Sequence, residues 1–217
     1  MSRAPDGGGA SGPAAAIRLR EVTRRFGDHV VLDRLDLELA PGVATALMGP
    51  NGSGKTTVTR LLLGLDEPDG GVVEGLDHRP RSAVFQEDRL CPQLSAVDNV
   101  RLVLGRGVGS GEVLAALAAV GLSGDAVRSP VRELSGGQRR RVAIVRAVLA
   151  DADLVVLDEP FTGLDQAVKP VTMAWVRDRC AAGTMLLVTH DEREADWFDA
   201  RVVHLDRPAA TVPGADA

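Results

Sequence analysis

The sequence predicts an α/β protein: a parallel sheet, an antiparallel layer ahead of it, and a helical insert that interrupts it. Three observations carry this. First, the apolar run Val43-Ala44-Thr45-Ala46-Leu47-Met48 leads straight into Gly49-Pro50-Asn51-Gly52-Ser53-Gly54-Lys55-Thr56, and a helical pattern follows. Strand, glycine loop and helix in that order form a unit from which parallel sheets are built. Second, Leu154-Val155-Val156-Leu157 and Met185-Leu186-Leu187-Val188 are apolar without alternation, which suits strands buried on both faces. Third, the residues between these halves, about 88–152, carry helical periodicity instead.

Taken in order, residues 1–16 are rich in Gly, Ala and Pro and have no apolar h-region, so they read as a disordered tail rather than a secretory signal. Ile17-Arg18-Leu19-Arg20-Glu21-Val22 and Leu35-Asp36-Leu37-Glu38-Leu39 alternate as half-buried strands do, the second breaking at Pro41-Gly42. They make the antiparallel layer. Residues 57–63 read as a helix ended by Gly64, and Ala83-Val84-Phe85 is strand-like. In the insert, Ser95 stands three before Asp98, a start resembling a capping box for a helix over 95–104. Residues 112–120 are rich in Ala and Leu, and 136–150 are periodic with Arg on one side. The run Arg139-Arg140-Arg141 reads as a solvated helix face. The expected organisation is one domain over 17–207, with its core in 17–87 and 153–207, a helical subdomain over about 88–152, and a C-terminal tail at 208–217.

The bulk properties narrow the function. A length of 217 residues supports one good core. A net charge of −5 gives no electrostatic footprint for nucleic acid, so no nucleic-acid partner is expected. No apolar stretch approaches the roughly 20 residues that cross a bilayer. Cys91 and Cys180 lack metal spacing, which fits a reducing cytoplasm. The bias toward Arg, Ala and Gly points to a GC-rich bacterial genome.

The octapeptide 49–56 fits the pattern G-x-x-x-x-G-K-S/T. Glycines let the backbone curl so that successive N–H groups converge on an anion, and the following helix adds its positive end. Lys55 can bridge the outer phosphates and the Thr56 hydroxyl can ligate Mg²⁺. Only Lys55 and Lys169 are lysines among the 25 basic residues, so a chain that otherwise uses Arg keeps a compact ammonium at this one loop position. These residues predict nucleotide binding. Further on, the apolar strand over 154–157 ends in Asp158-Glu159-Pro160. Carboxylates there meet Mg²⁺ and water at the carboxyl edge of a sheet: Asp158 would hold the metal and Glu159 would orient or deprotonate the attacking water. Leu134-Ser135-Gly136-Gly137-Gln138 opens a helix and is, by itself, a cap.

In this order the phosphate loop, residues 134–138 and residues 154–159 resemble the Walker A, signature and Walker B motifs of ABC-type ATPases, and the likeness runs from Ile17 to about Leu205. It implies a RecA-like phosphate-loop core with an ABC-type antiparallel layer and an inserted helical subdomain. It also implies ATP and Mg²⁺ as cofactors, the latter held by Thr56, Gln86 and Asp158, and ATP contacts from residues 49–56 together with Thr57. Phe26 lies where the family places an aromatic that stacks on adenine. Gln86 matches the Q-loop glutamine, Asp165 in Gly163-Leu164-Asp165 the D-loop, and His190 in Thr189-His190-Asp191 the switch histidine that contacts the γ-phosphate or holds Glu159 and water in line. Glu159, His190, Lys55 and Gln86 are then the catalytic set. The resemblance implies a two-fold dimer in which Leu134, Ser135, Gly136, Gly137 and Gln138 of one copy close over ATP held by the other. Two positions depart from the family pattern: Arg140 stands where Gln is frequent, and Thr162-Gly163 replaces a small pair.

Phe85-Gln86-Glu87-Asp88-Arg89-Leu90, then Pro92, is similar to the ATPase subunits of nitrate, sulfonate and taurine importers. The implied partners are a second copy of the chain, separate integral-membrane permease subunits docking near residues 87–95 and, for an importer, a solute-binding protein. The implied place is the cytoplasmic face of a bacterial membrane. A non-transport ABC protein of translation or DNA repair is the alternative within the family. A phosphate-loop kinase or GTPase is the alternative outside it, and would need neither residues 134–138 nor His190.

Overall fold

The computed structural model describes residues 15–104 and 108–206. The tails expected at 1–16 and 208–217 lie outside the described residues, apart from residues 15 and 16. An antiparallel sheet of order β2-β1-β4 joins β1 (Ile17–Phe26), β2 (His29–Leu39) and β4 (Gly70–Glu74). A parallel sheet of order β5-β6-β7-β3-β8 joins β3 (Ala44–Met48), β5 (Arg81–Val84), β6 (Leu154–Asp158), β7 (Thr184–Val188) and β8 (Arg201–His204). The helices are α1 (Lys55–Leu62), α2 (Ala96–Arg101), α3 (Ser110–Ala119), α4 (Gly136–Val148), α5 (Lys169–Cys180) and α6 (Glu192–Trp197).

The uninterrupted apolar runs are explained by the two cores that share the parallel sheet. Leu154 and Val156 of β6, with Leu186 and Val188 of β7, pack with β1, β2 and α1. Their neighbours Val155, Leu157, Met185 and Leu187 face the other way, against α4 and α5. Each fully buried Leu or Val contributes about 1.5–3 kcal/mol, and the polar residues of β6 and β7 stand only at strand ends, Asp158 and Thr184. The antiparallel layer has one water-facing side, hence its alternation. That alternation is first broken at Glu21, which takes φ 48° where the register with β2 shifts between Leu19 and Val22, and the register shifts again on either side of Arg24. The bulge turns Val22 inward beside Ile17 and Leu19 instead of leaving Glu21 there.

A third cluster fills the helical insert, with Val100 of α2, Val113 and Leu117 of α3, and Val142 and Val145 of α4. Helix α4 belongs to two cores at once, since Ile144 and Ala147 on its other side pack against β5 and β6. The insert is therefore joined to the sheet by the helix that the pentapeptide 134–138 begins.

Being apolar on two sides leaves α4 little surface for charge, and this corrects the expected solvated face. Arg140 and Arg141 are buried. Arg141 donates to the carbonyls of Val120 and Gly121, both at 2.9 Å, where α3 ends, satisfying the free carbonyls of a helix C-terminus with a cation. Burial pushes its guanidinium below the usual arginine range, and the charge of Asp165 partly offsets that.

Candidate functional site

The strand order decides the geometry of the site. Because β5, β6, β7 and β3 lie side by side with parallel register, the segments leaving their carboxyl ends form a row. Gln86 follows β5, Asp158 and Glu159 end β6, His190 follows β7, and the phosphate loop follows β3. Ligand sites of parallel α/β sheets sit at this edge.

In the loop, two glycines are required by space as well as by conformation. Gly49 has φ 151°, and a Cβ there would overlap the Leu205 carbonyl oxygen and stand 2.9 Å from Ser53 Oγ. Gly54 caps α1 in the left-handed region at φ 98°, and a Cβ would stand 2.7 Å from Leu32 Cδ2. The loop is thereby pressed between β2 and the chain leaving β8. The ammonium of Lys55 donates to the Gly49 and Pro50 carbonyls at 2.7 and 2.9 Å, closing a ring on its own loop. Ser53 Oγ is buried with no hydrogen-bond partner, and the first turn of α1 leaves its N–H groups without helical partners. Unsatisfied donors of this kind fit an anion. Asn51, Gly52, Pro50 and Thr56 are exposed at the mouth, whereas the Thr57 side chain is buried.

The acidic pair lies opposite. Glu159 takes φ 46°, in the left-handed region, and its N–H donates to the Val188 carbonyl at 2.9 Å. That bond ties the turn after β6 to β7 and brings Glu159 Oε1 to 3.5 Å from His190 Nδ1. The Asp158 carboxyl is held above the usual carboxylate range by burial first and then by the Glu159 charge, with Arg140 and Lys55 acting in the opposite sense. A desolvated carboxyl at Asp158 beside a second carboxylate fits a divalent cation between them and a phosphate. No group of three or more His, Cys, Asp or Glu able to hold a metal occurs among the described residues. A metal here would thus draw on Asp158, the Thr56 hydroxyl and phosphate oxygens, as Mg²⁺ does when it keeps some of its waters.

His190 itself is exposed, but its neighbours are fixed. The Thr189 hydroxyl donates to Glu194 Oε2 at 2.6 Å and accepts from the Asp191 N–H at 3.1 Å. Lys169, at the start of α5, reaches Glu194 Oε1 at 2.7 Å and Asp191 Oδ2 at 3.3 Å.

The pentapeptide meets the sheet edge on the side of Gln86 and Glu159. Ser135 caps α4 through a complete capping box with Gln138, and Leu134 is buried in the helical core. Gly136 and Gly137 line a cleft of about 300 Å³ with Gln86, Arg140, Glu159, Thr162 and Gly163, and Ser135 is exposed beside it. Asp165 is exposed and its carbonyl starts α5 by accepting from Lys169 N–H at 2.9 Å. Phe26 is 51 % exposed at the end of β1, with the Arg24 guanidinium 4.9 Å over its ring. It is an open aromatic face and not a core residue.

A model of the ABC transporter family matches residues 32–162, more than half of the chain. The chain belongs to the ABC transporter family. Among its relatives is an aliphatic sulfonates import ATP-binding protein of Rhodococcus jostii, 44% identical over 198 residues that span 89% of this chain and 80% of that one. A second, of Frankia alni, is 46% identical over 199 residues, 90% of this chain and 73% of the relative. A Nod factor export ATP-binding protein of Cupriavidus metallidurans is 40% identical over 201 residues, 84% and 65%. Of solved structures, the dimeric post-hydrolysis state of an ATP-binding cassette bound to ADP and Pi superposes with a TM-score of 0.77 at 28% identity, covering 88% of this chain and 96% of that one.

As an ABC cassette the chain is an ATPase of the RecA-like core, antiparallel layer and helical subdomain that the motifs had implied. Several residues of the cassette's site escape a motif reading. Arg140, Arg146, Asn99, Lys169 and Glu194 all bond to segments of the site or its approach. Only two of them carried a sequence signal: Arg140 as a departure from the family pattern, and Lys169 as the second of two lysines.

Proposed function

We propose that two copies of this chain bind Mg·ATP at their shared interface and hydrolyse it to drive an importer through separate membrane subunits. In this reading residues 49–57 hold the triphosphate, with Lys55 released from its own carbonyls onto the outer phosphates. Phe26 stacks on adenine. Thr56, Asp158 and Gln86 hold Mg²⁺, which supplies charge neutralisation at the β- and γ-phosphates. Glu159 accepts a proton from the attacking water, and His190 keeps Glu159 and that water in line. Ser135 and Gly137 of the partner copy close over the γ-phosphate, with Asp165 at the interface.

The observation that carries this is the row at the sheet edge: phosphate loop, His190, Glu159 and Gln86 leave four adjoining strands in turn, with Glu159 and His190 3.5 Å apart. The second copy is supported by Ser135, which stands exposed on α4 beside its own Q-loop and D-loop, and by the dimeric state of the related cassette structures. Import of a sulfonate is supported by the names of relatives at 42–46% identity and by the likeness of residues 85–92 noted above. No helix among the described residues is long and apolar enough to cross a membrane; in this reading separate permease subunits supply the pore. The cytoplasmic face of a bacterial membrane is the place where such a subunit meets ATP.

Glu159→Gln tests the chemistry and the dimer together. Turnover should fall by roughly 10²–10⁴, the scale of a general base, and Mg·ATP should trap a dimer seen by light scattering. A variant that hydrolyses ATP normally, or stays monomeric at saturating Mg·ATP, overturns the reading and favours a kinase-like one. Uptake of a labelled alkanesulfonate by cells with and without the gene tests the cargo, and ATP-dependent efflux would reverse the direction.

A further inference from the structure

Buried arginine is costly unless its N–H groups find acceptors, and Arg140, 6% exposed, finds an unusual set. Its Nε donates to the Pro160 carbonyl at 3.0 Å, and Nη2 donates to the Asp158 and Glu159 carbonyls at 2.6 and 2.7 Å. Nη1 donates to the Phe85 carbonyl, to that of Gln86 at 3.4 Å and to Asp88 Oδ1 at 3.3 Å. Five N–H groups thus serve six acceptors, drawn from two segments that precede and follow α4 in the chain and meet only at the site.

Those carbonyls need a donor. At Glu159, just past the last residue of β6, the backbone turns into the left-handed region and leaves the sheet, so no strand continues to serve the carbonyls of residues 159 and 160. The Q-loop is in the same position after β5 ends at Val84. A second arginine further along α4 extends the arrangement: Arg146 donates to the Asp88 and Arg89 carbonyls at 3.0 and 2.8 Å. Carbonyls 85, 86, 88 and 89 therefore all lean on α4.

We infer that Arg140 is a positioning residue for hydrolysis: one guanidinium on the signature helix fixes the backbone of Glu159 and of Gln86 relative to each other, so that these two groups move with α4. This rests on the hydrolytic reading above and adds the part that sets the reacting groups. Gln, frequent in the family at this position, donates only two hydrogen bonds and could not hold both segments at every carbonyl. The planar fork of Arg can. A displacement of the Q-loop by a membrane partner would then be felt at Glu159 without a contact between the two side chains.

The full chain with Arg140→Met is the test, read at saturating Mg·ATP and well below its melting temperature. The expected result is a fall in kcat of roughly 10–100-fold, part of the general base's share, with ADP affinity within threefold of wild type because the phosphate loop is untouched. Arg140→Gln should recover part of kcat, and is the variant to read should Arg140→Met not fold. Because Arg140 acts through Glu159, adding Arg140→Met to Glu159→Gln should lower kcat by less than threefold further. A kcat within twofold of wild type overturns the inference. So does an equal loss of kcat and ADP affinity, or a full multiplication of the two effects in the double variant. Failure of the hydrolytic reading would instead show as a wild-type chain without ATPase activity.

Discussion

Replacing Lys169 by Met removes the only cation among the described residues that reaches Glu194. Glu194 is 4% exposed, and its second oxygen is committed to the Thr189 hydroxyl. The lost contacts are Nζ to Glu194 at 2.7 Å and to Asp191 at 3.3 Å. A hydrogen bond to a charged group is worth about 1.5–3 kcal/mol, and orphaning one ion of a fully buried pair costs about 3–5 kcal/mol. The Lys169 side chain keeps 28% of its exposure, so water reaches the pair and the lower end applies. The expected loss is about 2–3 kcal/mol, or a melting temperature about 4–12 °C lower for a chain of this length. Urea denaturation of Lys169→Met, Glu194→Gln and the double variant measures it. A neutral Gln keeps the Thr189 bond, so the double variant should recover most of the loss and the cycle should give about 1–2 kcal/mol of coupling. Thr189 and Asp191 flank His190, so kcat should fall with the stability while ADP affinity stays. The pH dependence has a definite sign. Burial lowers the Lys169 pKa, but the hydrogen bonds and charges of Glu194 and Asp191 outweigh it and hold it above the ordinary value of 10.5. A raised folded-state pKa means stability fully present below the unfolded value and lost as pH rises through the folded one. The gap between wild type and Lys169→Met should therefore be flat from pH 7 to 9 and close only in strong alkali. A variant within about 0.5 kcal/mol of wild type, or a cycle with no coupling, refutes the reasoning.

Asn99, fully buried on α2, donates to the Cys91, Leu94 and Ser95 carbonyls and accepts from the Cys91 N–H at 2.7 Å. Asn99→Ala should cost about 2–3 kcal/mol, mainly through the orphaned Cys91 N–H, and raise hydrogen exchange at that amide at least tenfold. Unchanged protection there would remove Asn99 as the pin of the proposed docking segment. The two thiols should also separate: burial pushes Cys180 up to about 11, leaving about one thiolate in a thousand at pH 8, while Cys91 is exposed. Native labelling should count one thiol per chain, and none after Cys91→Ser. Equal rates at both would show that the core around Cys180 is open.

Where a property depends on residues close in the chain, the sequence carried it. The octapeptide specifies its own loop, because Gly49 and Gly54 supply the backbone angles and Lys55 the charge. The runs in β6 and β7 declare burial on both faces. Ser135 and Gln138 close a capping box three residues apart. By contrast, the short strands β4 and β8 gave no usable pattern: β4 is Gly-Gly-Val-Val-Glu with Val72 exposed, and β8 ends in His204, also exposed.

Arg140 marks the boundary between the two kinds of knowledge. Within its helix it is the middle of three arginines, and nothing local separates it from Arg139, which stays partly in water. Its burial follows from carbonyls at Phe85 and Glu159, which the fold of β5 beside β6 delivers to the same point. Residue type and spacing determined the chemistry available to this protein: a phosphate cradle, an acidic pair, a histidine. Which of these groups face one another was decided only by the strand order β5-β6-β7-β3, since the neighbours of a strand are set by burial summed over the whole chain and not by the residues beside it in sequence.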